Sequence, residues 1–261
     1  MTLRVSTALR NALLESQPLK LAMSNCVLKV YSGSQPASAD TAPSGTLLCT
    51  YSASSGALTR EVLAQGSVAL TGGGSGSVDT LTVNSLEIMG SATAYDTSLT
   101  QTATNIVTKV NNNPKNQLFV ASNVAGTSTT ITITCKPGVG VQTWTVASTV
   151  TTITKTDTNI GTVTAGTAPV NCLQWGDSAA GVLSKLSTQT WSGAAGNTGT
   201  AGWFRMEAAV SDAGGTDSSE AILRFDGAVA TSGAELNLSS TSIVSGATQT
   251  VDTMTVTMPA S

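Results

Sequence analysis

The stretch SDAGGTDSSE sets Asp212, Asp217 and Glu220 around a pair of glycines. Carboxylate oxygens on a pliable loop are what a calcium ion takes, because it accepts many oxygen ligands in irregular geometry. The spacing does not match the calcium loop of helix–loop–helix proteins, and Asp, Gly and Ser are equally the residues of hairpin turns. A second grouping, GTAGWFRMEAA, brings Trp203, Phe204 and Arg205 together in a chain with only 4% aromatic residues. Such a cluster can be a ligand platform, or a strand that locks the two layers of a sandwich. On a strand, Trp203 and Phe204 point to opposite faces, and Arg205 returns to the side of Trp203, within reach of an aromatic ring, Asp226 or Glu207. One ring is then expected in the core and the other against a neighbouring subunit, an inserted domain or solvent. Trp203, Phe204 and Arg205 are therefore candidate structural or interface residues.

Other chemistries are excluded by what is missing. The chain has no histidine, which removes imidazole acid–base catalysis, His-activated nucleophiles and nearly all the usual catalytic zinc sites. Its four cysteines, Cys26, Cys49, Cys135 and Cys172, include no pair at metal-knuckle spacing and read as small buried hydrophobes. Cys26 with Cys49 is the candidate disulfide, since strands close in sequence often pair in space. The run TGGGSGS (71–77) lacks the Lys-Ser/Thr of a phosphate loop and precedes a strand, so it reads as a linker. Paired carboxylates would be the remaining catalytic device, but the 15 acids are scattered and sit in turn contexts such as FDG and GDS. No catalytic residue, cofactor or enzyme activity is expected. Carbohydrate or receptor binding is an alternative, and its sign would be an exposed aromatic cluster such as Trp144 with Tyr95, residues that could equally be core.

Charged residues are 10% of the 261, against ~25% in a typical soluble domain. Hydrophobic residues stand at 40%, so Ser, Thr and Gly fill the deficit, as in an all-β protein whose outward positions are hydroxyls. A net charge of −3 with no basic stripe gives no footprint for nucleic acid. No apolar run approaches the ~20 residues of a membrane span. The start, MTLRVSTALRNALL, does not read as a signal peptide, and the protein is expected to stay in the cytoplasm until it assembles or is released.

These patterns define the elements that must position the candidate residues. STALRNALLESQP reads as a short helix, capped by Ser6 or Thr7 and ended by Pro18. CVLKVYSG is a strand with Cys26, Leu28 and Val30 on one face and Val27, Lys29 and Tyr31 on the other. TLLCTYSA follows after a Pro/Ser/Ala loop. A different pattern begins near TGGGSGS: VDTLTVNSLEIMG alternates Val78, Thr80 and Thr82 against Asp79, Leu81 and Val83. SLTQTATNIVTKVNNN is a helix with Ala103, Ile106, Val107 and Val110 on one face. NQLFVAS, STTITITCK, QTWTVAST and TTITKT supply further strands. From Cys172 onward short strands separated by Gly/Ser/Asp turns resume, as in a sandwich. The fold class expected is mainly β: an antiparallel β-sandwich built from residues 1–67 and 170–261, with an inserted small α+β domain of one helix over 68–169. Insertion through a surface loop whose ends lie close together costs little closure entropy.

The end blocks LRVSTALRNALL, VLKVYSGSQPASADTAPSGTLLCTYS, GTAGWFRMEAAVSDAGG, LRFDGAVATSGAELNLSS and GATQTVDTMTVTMPAS are similar, in order, to a family of small tailed-bacteriophage virion proteins. In that family the same blocks form one uninterrupted β domain. The middle piece, DTLTVNSLEIMG through TSLTQTATNIVTKVNN, resembles small domains found in various phage structural proteins. The resemblance implies a multi-copy virion structural protein, assembled in the host cytoplasm and contacting capsid, neck or tail subunits and copies of itself. It carries no catalytic residues. An exterior accessory or decoration role on the capsid or neck suits an inserted domain better than a tightly stacked tube does. A tail tube, collar or fibre-attachment subunit is the alternative placement, and an adhesin module the other function.

Overall fold

Alternating apolar and hydroxyl side chains make strands of most of this chain. The computed structural model describes residues 3–15, 17–137, 139, 142–216 and 222–257. It is mainly β, with several antiparallel sheets, no closed barrel and three helices among the described residues. The chain divides into two compact units, Met1–Glu61 with Pro169–Ser261, and Val62–Ala168. The first division falls at Glu61/Val62 and not after Ser67, because the strand Gln65–Gly72 belongs whole to the inserted unit. It pairs there with Thr130–Cys135 on one side and Thr154–Thr158 on the other. The chain enters and leaves side by side: Thr59 and Val170 exchange two backbone hydrogen bonds of 3.1 Å in the outer unit. Val62 and Thr167 are paired in the same way inside the inserted one.

The outer unit is organised on a nine-stranded sheet. Its main path runs Arg4–Val5, Arg224–Ala230, Gly199–Glu207, Val27–Ser32, Leu47–Ala53, Trp191–Ala194, Thr248–Val251. One face of this sheet is apolar. Leu28, Val30, Tyr51, Phe204, Met206 and Phe225 pack there with Leu9 and Met23 from the helical segments Thr7–Glu15 and Leu19–Ala22. Leu183 and Met254, in and beside the small ladder Val182–Ser184/Thr255–Thr257, belong to the same core. The second layer is thus short strands and helical turns. The first helix starts as its cap residues dictate: the Ser6 hydroxyl accepts the Leu9 N–H at 3.2 Å. Pro18 ends it and, lacking an N–H to donate, serves as N-cap of the next helix.

The inserted unit has two four-stranded sheets and the helix Leu99–Asn112 around one core. Ser98 caps that helix through the Gln101 N–H at 3.1 Å, and Ala103, Ile106 and Val110 face inward. Strict alternation would group Val78 with the outward threonines. A register shift opposite Thr149/Val150 makes Asp79 an extra residue, so Val78, Leu81 and Val83 all reach the core. Outward positions carry hydroxyls, and those of Thr80 and Thr149 meet at 2.7 Å across the ladder.

The four cysteines are buried and unbridged. The proposed Cys26–Cys49 disulfide is corrected by the register: Val30 stands opposite Cys49 and Leu28 opposite Tyr51, while Cys26 lies beyond the strand and pairs with Leu173.

Candidate functional site

The strand Gly199–Glu207 lies between Val27–Ser32 and Arg224–Ala230, and its alternation sorts GWFRME onto two faces. Phe204 and Met206 enter the apolar core, while Trp203, Arg205 and Glu207 project from the opposite face. Register places Tyr31 beside Trp203, with Lys29 and Asp226 flanking Arg205 and Arg224 beside Glu207. Two glycines allow the close approach. A Cβ on Gly202 would stand 2.0 Å from the Gly33 carbonyl oxygen, where the ladder shifts register between Ala201 and Trp203. A Cβ on Gly227 would meet the Phe204 ring at 2.6 Å.

This second face is a buried, charged layer. Arg205 and Asp226 are both 0% exposed. The pair is bidentate, with Nε donating to Oδ1 and Nη2 to Oδ2, both at 2.8 Å. Glu207 accepts from Lys29 Nζ at 2.8 Å and from Arg60 Nη2 at 2.7 Å. Asp212 accepts Nε and Nη2 of Arg224, whose Nη1 also donates to the carbonyls of Gly215 and Ala39. Trp203 stacks on Tyr31, with centroids 4.5 Å apart and planes 11° from parallel, and the Arg205 guanidinium lies 5.5 Å from its ring centre. The Trp203 Nε1–H donates to the Ser44 carbonyl at 3.2 Å, fixing the 33–46 loop over the face. That loop returns Asp40 to the first helix, where its carboxylate accepts the Thr7 N–H and hydroxyl.

Electrostatics follow from this burial. Burial pushes the Asp226 carboxyl above its ordinary range, against the hydrogen bonds and charge of Arg205. Burial likewise works against the charge on Arg205, but Asp226 outweighs it and holds the guanidinium protonated. Asp212 is also buried, yet Arg224 and the Gly214 N–H overcome that cost and hold its carboxyl below the usual range. Burial, and next the Glu207 charge, push the Tyr31 phenol up. Burial raises the Cys49 and Cys172 thiols to about 11 and Cys26 further still, which leaves them inert as nucleophiles near neutral pH.

The sequence expectation for this cluster is corrected in one respect. Both rings and Arg205 are 0% exposed inside one unit, so Trp203, Phe204 and Arg205 form no subunit contact and no ligand platform. The ring outside the apolar core is covered by its own loop and by Tyr31. Asp212 is the anchor of Arg224 and not a free calcium ligand, since it is buried, neutralised by the guanidinium and bonded also to the Gly214 N–H; Asp217 and Glu220 lie outside the described residues. Among the described residues no group of three or more His, Cys, Asp or Glu is placed to hold a metal ion, and no helix is long and apolar enough to cross a membrane. Trp144 packs edge-on against Phe119, with centroids 5.0 Å apart, and both it and Tyr95 lie half-buried against the inserted unit's core. The sequence reading placed Arg205 within reach of Asp226 and an aromatic ring, as the structure has it, and missed the rest of the layer: Arg224 with Asp212, and Lys29 and Arg60 on Glu207. Its signal was present as charge at alternate strand positions, Arg205 and Glu207, then Arg224 and Asp226, beside buried aromatics.

No protein-family model matches the chain, and no curated protein shows significant similarity to it.

Proposed function

We propose that this chain is a non-enzymatic structural protein of a tailed-bacteriophage particle, present in many copies and placed as an exterior accessory subunit of the capsid or neck. The observation that carries the reading is where the charge lies. Of twelve Lys and Arg residues, Lys29, Arg60, Arg205 and Arg224 are drawn onto the buried sheet face and paired there with Glu207, Asp212 and Asp226. The outward strand faces are left to hydroxyls, and few ions need desolvating when such surfaces meet in symmetric assembly. The collinear sequence blocks at the chain ends support the virion setting. Its partners are then capsid, neck or tail subunits and copies of itself.

The test is cryo-electron microscopy of particles purified from lysates of cells that produce the protein. Copies at icosahedral positions on the shell, or ringed about the neck exterior, are expected. Stacked rings below the portal would make it a tail component, and particles containing no copies would overturn the reading.

A further inference from the structure

The inserted unit carries a surface cleft of about 460 Å³ between the helix Leu99–Asn112 and the segment from Thr93 to Asp96. We propose that this cleft binds a neutral polyhydroxylated ligand, a saccharide, with Asp96 as the diol acceptor, Lys109 as the donor and Tyr95 as the aromatic wall.

The polar groups are held in place before any ligand arrives. The Asp96 N–H donates to the Thr102 hydroxyl at 2.9 Å, which itself donates to the Ser98 carbonyl at 2.8 Å. The Asp96 Oδ1 accepts the Thr97 N–H at 2.6 Å, and Oδ2 accepts the Asn105 amide at 3.0 Å. These two bonds, the Thr97 N–H foremost, hold the carboxyl below its usual range and so ionised. A carboxylate has about four acceptor positions, so each Asp96 oxygen retains one. Two adjacent acceptors at fixed separation match two neighbouring hydroxyls of a sugar ring. One helical turn from Asn105, Lys109 donates to the Ala92 carbonyl and the Ser91 hydroxyl, which leaves one of its three N–H groups for a ligand oxygen. Tyr95 is fixed through its N–H to the Gly76 carbonyl at 2.8 Å and its hydroxyl to the Thr97 carbonyl at 3.3 Å. It lines the cleft as its one aromatic side chain, half-buried against the unit's core.

Charge selects the ligand class. The cleft holds one carboxylate and one ammonium, so an anion meets Asp96 and a cation meets Lys109 without a net attraction for either. A neutral polyol uses both groups as hydrogen-bonding partners. This inference does not rest on where copies sit in a particle.

The experiment exposes the purified full chain to a microarray of bacterial-surface and animal-cell oligosaccharides, then titrates it with the best glycan under 15N-HSQC detection. Binding to at least one neutral glycan is expected, with shifts at Tyr95, Asp96 and Lys109. Asp96→Ala and Lys109→Met should each weaken it tenfold or more with the wild-type melting curve retained; Lys109 is the safer of the two for folding because its side chain lies at the surface. Raising salt from about 0.05 to about 0.5 M should leave the affinity within twofold. No binding to any glycan, unchanged binding by a folded Asp96→Ala or Lys109→Met, or a tenfold loss with salt would each overturn the proposal. Hits confined to bacterial or to animal glycans identify the source of the saccharide, and either pattern supports it.

Discussion

Replacing Arg205 by Ala isolates the buried pair at the centre of the charged layer. The substitution removes both 2.8 Å hydrogen bonds to Asp226 and the cation above Trp203. Asp226 stays where it is, 0% exposed, with the Arg224 charge helping it and the Glu207 charge opposing it. Stranding one member of a buried ion pair costs about 3–5 kcal/mol. At roughly 2–4 °C per kcal/mol for a unit of this size, the melting temperature should fall by roughly 6–20 °C. The control is Arg205→Met with Asp226→Leu, which removes both charges and keeps apolar volume in the layer; it should regain most of the loss, because the cost lies in the unpaired charge. Circular dichroism melts of the three proteins at neutral pH decide the matter. An Arg205→Ala protein that melts within about 2 °C of wild type, or a double variant less stable than the single, would refute the reasoning.

Gly202→Ala should destabilise by at least about 1–3 kcal/mol, because its methyl group would overlap the Gly33 carbonyl oxygen; urea titration measures it. Trp203→Ala should cost about 3–5 kcal/mol as a large buried ring is lost, and an unchanged urea midpoint would contradict the burial described. Asp212 has its carboxyl lowered in the folded state, so its contribution is complete above the ordinary carboxylate value of ~3.9 and is lost as pH falls through the lowered one. Asp212→Asn should therefore melt well below wild type at pH 7, and the gap should close as the pH is lowered past ~4. Excising Val62–Ala168 and joining Glu61 to Pro169 through a short Gly/Ser linker should leave a cooperatively melting protein, since the Thr59–Val170 pair already holds the ends together; an unstructured product would contradict this.

Periodicity made much of the architecture legible. The helix over 99–112 was visible in Ala103, Ile106 and Val110, and the two faces of VLKVYS in the alternation of Leu28 and Val30 with Lys29 and Tyr31. What escaped depended on partners distant in sequence. Nothing local tells that Asp79 is an extra residue, because the shift is defined by Thr149 and Val150 on another strand. Asp212 resembles a turn acid until Arg224 is brought to it across twelve residues. Which of Trp203 and Phe204 enters the core, and what covers the other, stays open in the sequence because the covering 33–46 loop, rich in Ser, Pro and Ala, carries no pattern that reveals where it folds. The cleft at Asp96 escaped for the same reason: it exists only once the helix places Asn105 and Lys109 beside a segment that precedes it.

The paired junction also decides how the molecule bears load. Pulled from its two ends, the chain transmits tension through the outer unit and across the Thr59–Val170 pair. The inserted unit begins and ends on the far side of that pair, so its own ends feel no separating force while the pair is closed. It is mechanically shielded. Strain applied at the termini falls first on the pairings of the end strands, Arg4–Val5 with Arg224–Ala230 and Thr255–Thr257 with Val182–Ser184, and reaches the inserted unit only once the Thr59–Val170 pair has opened.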